Sequence, residues 1–184
     1  PAEFMAAVLA NWGGYYSQRV YLSEARRLGL KVRAPHINHS LHNFSVASVS
    51  GEKQLFMGLG QIKHLTRRTI EKIIRLRPYH SLDDFLTRVD PRSQEAENLV
   101  KVGVLDGLGS IPMLLKRLQS GWQAGQMSLF SMNSGVEDDW SLEERMAVQQ
   151  EILGVSLAAH PLELVAERIE KVGAVAIADA VDMI

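Results

Sequence analysis

Apolar residues recur at the three- and four-residue spacing of amphipathic helices along most of the chain. Serine, glycine and proline residues interrupt this pattern at positions typical of helix ends. The pattern predicts helices over residues 3–11, 17–28, 66–77, 81–89, 93–102, 110–118 and 141–153, with another after Pro161. The helices between 66 and 118 are separated by only a few residues, which indicates compact helical hairpins.

A small amount of β structure is predicted between the second and third helices. Residues 30–35 form a brief strand-like run, and residues 43–49 and 54–59 flank a glycine-containing turn. The closing residues 174–184 alternate poorly and are interpreted as the start of a further strand. The predicted fold class is therefore mainly α, with a small β-hairpin.

Composition narrows the broad class of the protein. Hydrophobic residues make up 46% of the 184 positions, enough to bury a core. The chain has no cysteine for a disulfide or a thiolate metal site, and no apolar run approaches the roughly 20 residues of a membrane span. These features fit a cytoplasmic protein with no membrane partner. The first residues resemble neither a start site nor a secretory signal, so we expect a piece of a longer protein.

Charge is distributed unevenly along the chain. Twenty Lys and Arg residues against 21 Asp and Glu residues give a formal net charge of −1, yet residues 61–78 contain six cations and the single acid Glu71. Arg68, Lys72 and Arg75 follow one another at helical spacing, with Lys63 just before them. Such a stripe is either a solvated helix face or a surface that contacts nucleic acid phosphates.

The most informative short pattern is VGVLDGLG, residues 102–109. It fits the helix-hairpin-helix turn h-x-x-h-x-G-h-G, with Gly107, Leu108 and Gly109 at its end and Ser110 beginning the next helix. The glycines permit positive φ and let the backbone approach a phosphate, while free N–H groups of the following helix face the anion. A plain glycine-capped helical hairpin remains the alternative.

A second copy of the pattern, LGQIKHLT, occupies residues 59–66. Its apolar positions are filled, but His64 and Thr66 stand where both glycines are expected. This copy is interpreted as having the frame of the motif without its phosphate-binding backbone, so that any DNA contact there depends on the neighbouring cations.

No pattern indicates an active site. The chain lacks a nucleophile elbow, a P-loop, an H-E-x-x-H pair and a dinucleotide-binding fingerprint. His36, His39 and His42 share a three-residue spacing, but no carboxylate lies within the cluster to complete a zinc site. The sequence therefore predicts neither catalytic residues nor a metal site in this chain.

Six blocks in order, among them YLSEARRLGLKVRAPHINHS, FMGLGQIKHLTRRTIEKII and EILGVSLAAHPLE, resemble the bacterial DNA polymerase III alpha subunit, a family C polymerase. The resemblance implies the end of the fingers region over 1–49, a tandem helix-hairpin-helix DNA-binding domain over 50–119, a linker over 120–139, a helical connector over 140–173, and the start of an oligonucleotide-binding fold over 174–184. The parent protein would be a DNA-directed DNA polymerase, a nucleotidyltransferase of replication or repair synthesis. Its Mg²⁺-binding palm would lie upstream, leaving no cofactor in this chain.

The linker carries apolar residues between glycines, which is unusual for a connecting segment. Its residues Gln126, Met127, Ser128, Leu129 and Phe130 resemble the pentapeptide Q-x-x-L-F by which this family docks on the bacterial sliding clamp. Adjacent Leu and Phe side chains can fill a hydrophobic pocket, and glutamine can form a hydrogen bond at its rim.

For the chain as a whole, the hypothesis that competes with DNA and clamp binding is a protein-binding scaffold of helical hairpins with no DNA role.

Overall fold

A computed structural model of the chain describes residues 2–11, 15–120, 139–159 and 172. The described residues form seven α-helices, which are α1 Ala2–Ala10, α2 Gln18–Arg27, α3 Arg67–Leu76, α4 Leu82–Val89, α5 Ser93–Lys101, α6 Ile111–Gln119 and α7 Leu142–Leu153. A single 3₁₀ turn, Leu59–Gln61, precedes α3. The strands are β1 Val32–Arg33, β2 Ser45–Val49 and β3 Glu52–Phe56. The mainly α fold class is confirmed, and each of these helices lies within one residue of its predicted bounds.

Local capping signals in the sequence explain why the helices begin and end where they do. The Ser81 hydroxyl accepts the N–H of Asp84 at 3.1 Å and begins α4. Ser141 and Glu144 form a reciprocal capping box at the start of α7. The Ser141 N–H donates to the Glu144 carboxylate at 2.8 Å, and the Glu144 N–H donates to the Ser141 hydroxyl at 3.3 Å. Gly154 ends α7 in the left-handed conformation, at φ 75°. The helix expected after Pro161 and the strand expected over 174–184 lie outside the described residues.

The sheet has three strands in the order β1, β3, β2. Strand β1 runs parallel to β3, and β2 pairs with β3 in antiparallel register from Ser45 opposite Phe56 to Val49 opposite Glu52. Ser50 and Gly51 join β2 to β3 with φ values of 53° and 83°. Positive φ at both positions matches the twist of a two-residue hairpin, so the predicted β-hairpin is confirmed.

One cluster of buried apolar side chains extends through the described part of the chain, from Met5 of α1 to Leu157 beyond α7. Tyr79 is 1% exposed, and its hydroxyl donates to the carbonyl of Ile73 at 3.1 Å. Gln149 joins α7 to the end of α5, because its amide donates to the carbonyl of Val102 at 3.3 Å. The packing of α7 therefore holds the residues after the linker against the helical hairpin of α5 and α6.

Candidate nucleic-acid interface

The two copies of the sequence motif have the same backbone turn. We name residues 62–65 the first turn and residues 105–108 the second turn. In each, the N–H of the fourth residue donates to the carbonyl of the first, at 3.3 Å in the first turn and 3.0 Å in the second. The third residue of each has positive φ, 63° at His64 and 85° at Gly107. The internal repeat in the sequence is therefore a structural repeat.

The first turn keeps this conformation although it lacks glycine. Histidine is one of the few non-glycine residues that adopt positive φ with some frequency. Thr66 adds an interaction that glycine could not make, because its hydroxyl accepts the N–H of Thr69 at 3.3 Å and caps α3. Before this turn the chain forms only the 3₁₀ turn Leu59–Gln61 rather than a full helix. The histidine and threonine thus preserve the frame of the motif.

The second turn presents bare backbone to solvent. A Cβ added to Gly107 would have no atom of the described residues within 4 Å, and among these residues only its φ of 85° disfavours a side chain there. Gly109 is different, because an added Cβ would lie 2.0 Å from the Cε atom of Met113. Leu108 between them packs against the core, as the motif predicts. Gly107 is therefore open to a ligand, whereas a side chain at Gly109 would also have to displace the end of the flexible Met113 side chain.

A carboxylate of the chain itself contacts the helix that follows the second turn. Ser110 is the N-cap of α6, and its side chain makes no capping hydrogen bond. The N–H of Ile111 instead donates to Oδ1 of Asp139 at 3.1 Å. Oδ1 also accepts the N–H of Trp140 at 2.8 Å, and Oδ2 pairs with the guanidinium of Arg145. An anion thus already lies at the helix terminus for which the sequence predicts phosphate contact.

The ionisation of Asp139 follows from these contacts. Partial burial acts to raise the pKa of the carboxyl, but the N–H donors of Ile111 and Trp140 and the charge of Arg145 outweigh it. The pKa of Asp139 is therefore lowered from its ordinary value. Asp139 carries its negative charge at neutral pH.

A second carboxylate, Glu95 of α5, lies beside the start of α3. Its Oε1 accepts the N–H of Thr66 at 2.9 Å and the hydroxyl of Thr66 at 2.7 Å. Its Oε2 accepts the hydroxyl of Thr69 at 3.0 Å and the N–H of Arg92 at 2.9 Å. Burial acts to raise the pKa of Glu95, which is 2% exposed, but the four donors outweigh it and the pKa is lowered. Glu95 therefore locks α3 to α5 as a buried anion.

The cations predicted to contact DNA differ in how far the fold has already engaged them. Arg68 and Arg75 are exposed, and their guanidinium groups make no hydrogen bond or ion pair with any other residue that the structure describes. The ammonium of Lys72 donates to the carbonyl of Val89 at 2.8 Å, at the end of α4. Lys63 donates to the carbonyl of Glu151 at 2.5 Å, near the end of α7. The two arginines are therefore the most available of the four.

A polar groove runs beside the basic helix. One wall belongs to α3, with Arg68 and Lys72, and the other to the connection between α4 and α5, with Arg92. Glu95 and Asp90 also line it. Sequence reasoning missed Arg92, Glu95 and Asp139 as neighbours of the site. The acidic run Glu137, Asp138 and Asp139 in the sequence gives no indication of a contact with α6.

None of the three evenly spaced histidines lines this groove, but His36 lies beside Asp106 of the second turn. Nδ1 of His36 accepts the N–H of Asn38 at 3.1 Å, and its ring centroid is 4.6 Å from that of His39. Burial, followed by the charge of His39, lowers the pKa of His36. A ring nitrogen of His42 lies 2.9 Å from the side-chain oxygen of Asn43. Among the described residues, no group of three or more His, Asp or Glu side chains could hold a metal ion.

Two features of the sequence prediction concern other parts of the chain. The pentapeptide of Gln126, Met127, Ser128, Leu129 and Phe130 lies outside the described residues. Among the helices within the described ranges, none combines the length and the apolar character needed to span a membrane.

Comparison with known proteins places this geometry in a family. A family model described as the helix-hairpin-helix motif matches residues 29–111, which include both turns. The chain is 26% identical over 94% of its length to DNA polymerase III subunit alpha of Campylobacter jejuni. It is 32% identical over 89% of its length to the subunit of Xylella fastidiosa strain Temecula1, and 31% identical over 91% to that of Helicobacter pylori strain J99. It spans 17%, 16% and 17% of these three relatives, about one sixth of their length. Over this shared length, the chain belongs to the family of bacterial DNA polymerase III alpha subunits.

Proposed function

We propose that this chain is the part of a DNA-directed DNA polymerase that holds duplex DNA through its phosphates, without reading the base sequence. The observation that carries the proposal is the repeated turn, with positive φ at His64 and Gly107. Each turn precedes a helix, α3 or α6, whose N-terminus is favourable to anions. Phosphate contacts of this kind position a protein on DNA and carry no sequence information.

The two turns would contact DNA by different chemistry. The second turn offers bare backbone at Gly107. The first turn carries a histidine, and the helix after it supplies the exposed guanidinium groups of Arg68 and Arg75. Because both arginines lack a carboxylate partner among the described residues, a DNA phosphate would not have to break an existing ion pair. The nucleotidyl transfer itself, with its Mg²⁺, belongs in this proposal to parts of the polymerase outside this chain.

The contribution of the arginines predicts a change in the salt dependence of binding. Replacing Arg68 and Arg75 together with glutamine should reduce the slope of log affinity against log salt by about 1.8, at about 0.9 per phosphate contact. Adding Lys72→Gln should change the slope less than either arginine does, because the Lys72 ammonium is already bonded to Val89. The measurement is fluorescence anisotropy of two unrelated duplexes across a salt series.

A matched control removes the same charge elsewhere. Arg27 and Lys31 pair with Glu24 and Glu52, so the double glutamine variant at these positions should leave the slope unchanged. If the Arg68 and Arg75 double variant has the same salt slope as the parent chain, α3 does not contact DNA phosphates. If the parent chain strongly prefers one of the two duplexes, binding is not through phosphates alone. If the parent chain binds neither duplex, the DNA-binding proposal is wrong and the protein scaffold hypothesis is favoured.

The backbone contact at the second turn predicts a loss of affinity without a loss of slope. Gly107→Asn should weaken duplex binding about tenfold, because asparagine tolerates positive φ but places a side chain where the phosphate approaches. The salt slope should remain, since no cation is removed. Gly103→Asn is the matched control, because Gly103 has φ 83° and an added Cβ there would likewise meet no atom of the described residues within 4 Å. Equal affinities of the two variants would show that Gly107 does not face DNA.

We propose further that residues 126–130 dock on the bacterial sliding clamp. The proposal rests on the adjacent apolar anchors Leu129 and Phe130 and on membership of the polymerase family. A short peptide that becomes ordered on docking should bind with micromolar affinity, about −8 kcal/mol.

A further inference from the structure

The N-terminus of α6 has few backbone donors available for a phosphate. Pro112 occupies the second position of the helix and has no N–H. The Ser110 side chain contributes no capping bond. The N–H of Ile111 is therefore one of the few groups that could receive an anion directly after the second turn, and Asp139 already accepts it at 3.1 Å.

The Asp139 carboxylate is held at this terminus by groups on two sides. The N–H of Trp140 donates to Oδ1 at 2.8 Å, and Arg145 from α7 pairs with Oδ2. The contact with Ile111 joins residues 28 positions apart, so it is part of the tertiary structure rather than a local cap. The side chain of Asp139 remains 38% exposed, so an anion that approaches from solvent can reach it and displace it.

We propose that Asp139 occupies the position of a DNA phosphate on α6, so that duplex DNA reaches the second turn only by displacing it. This inference rests on the proposed DNA-binding function. Two anions cannot share one N–H donor without mutual repulsion, whereas either is stabilised there by the positive end of the helix. Displacement also frees the Arg145 guanidinium, which can then pair with the incoming phosphate. The carboxylate is thus a built-in competitor that lowers the affinity of the free protein for DNA.

The test compares Asp139→Asn with Glu143→Gln in the 184-residue chain. Asparagine keeps an oxygen that can accept the Ile111 N–H, so the fold is preserved while the competing charge is lost. Glu143 is exposed on the first turn of α7, and its substitution removes the same charge nearby. We expect Asp139→Asn to bind a duplex about five- to tenfold more tightly than the parent at low salt, and Glu143→Gln to bind less than about twofold more tightly.

A second measurement uses the unaltered protein. In an amide NMR titration with duplex DNA, the resonances of Ile111 and Trp140 should shift together, because both N–H groups lose the same acceptor. Equal affinities of the two variants, or a duplex titration that moves Ile111 and leaves Trp140 in place, would overturn the inference. Either result would leave DNA binding itself intact. Absence of duplex binding by all three proteins would instead defeat the proposed function.

Discussion

Binding to a bacterial sliding clamp is expected to be lost when Leu129 and Phe130 are both replaced with alanine. Buried anchor residues in interfaces each contribute about 2 kcal/mol or more when truncated. Losing both from a complex of about −8 kcal/mol leaves about −4 kcal/mol, a millimolar affinity. Isothermal titration calorimetry of the chain with the clamp should therefore register no binding at micromolar concentrations. Gln126→Ala should weaken the complex by a smaller factor, about tenfold, because it removes a rim hydrogen bond only.

The matched control removes apolar side chains from other exposed positions. Phe4 is 69% exposed and Leu142 is 41% exposed, and both lie outside the pentapeptide. Their double alanine variant should bind the clamp as the parent chain does. If the Leu129 and Phe130 variant kept the parent affinity, the apolar residues of the linker would have to serve another purpose, such as packing on this chain.

Local sequence signals were sufficient to predict the helices and the second turn. The starts of α4 and α7 follow from Ser81 and Ser141, whose hydroxyls bond within the next turn of the chain. The end of α7 follows from Gly154. In such cases the partners are three or four residues apart, so the sequence contains both members of each interaction within one short window.

The conformation of the first turn could not be predicted in the same way. The absence of glycine at position 64 indicated that the phosphate-binding backbone was lost, yet His64 has φ 63°. The buried Ile62 and the partly buried Leu65 fix the two ends of this turn on the core. Tertiary packing therefore imposes a conformation on His64 that its own propensity only tolerates.

The electrostatics of the candidate site depend on contacts between distant parts of the chain. Lys63 reaches a carbonyl 88 residues away, and Asp139 reaches Ile111 across 28 residues. From the sequence, Lys63 and Arg68 are equal candidates for phosphate contact, because both are cations of the same basic stretch. Only the fold separates a lysine already bonded to the end of α7 from an arginine that is free among the described residues. Periodicity places charges on faces, but it does not reveal which charges are already paired.

Glu95→Gln is expected to destabilise the fold by about 3 kcal/mol, a factor on the order of 100 in the folding equilibrium. Four donors converge on this carboxylate, from Thr66, Thr69 and Arg92. A glutamine offers one acceptor oxygen, and its NH₂ group faces donors that then have no acceptor. Urea denaturation measures the loss. Glu97→Gln on the same helix is the control, since Glu97 makes only a surface pair with Lys101 among the described residues. This substitution should cost less than about 1 kcal/mol.

The effect of Glu95→Gln should also depend on pH. The pKa of Glu95 is lowered in the folded protein, so the folded state binds its proton less readily than the unfolded state does. The stabilisation by the carboxylate is therefore fully present above the ordinary glutamate pKa of about 4.3, and it is lost as the pH falls through the lowered folded value. The unfolding free energies of the parent and Glu95→Gln should converge in acid, while the small difference for Glu97→Gln remains small. A difference of about 3 kcal/mol that persisted below the folded pKa would mean that the shape of Glu95, rather than its charge, holds α3 against α5.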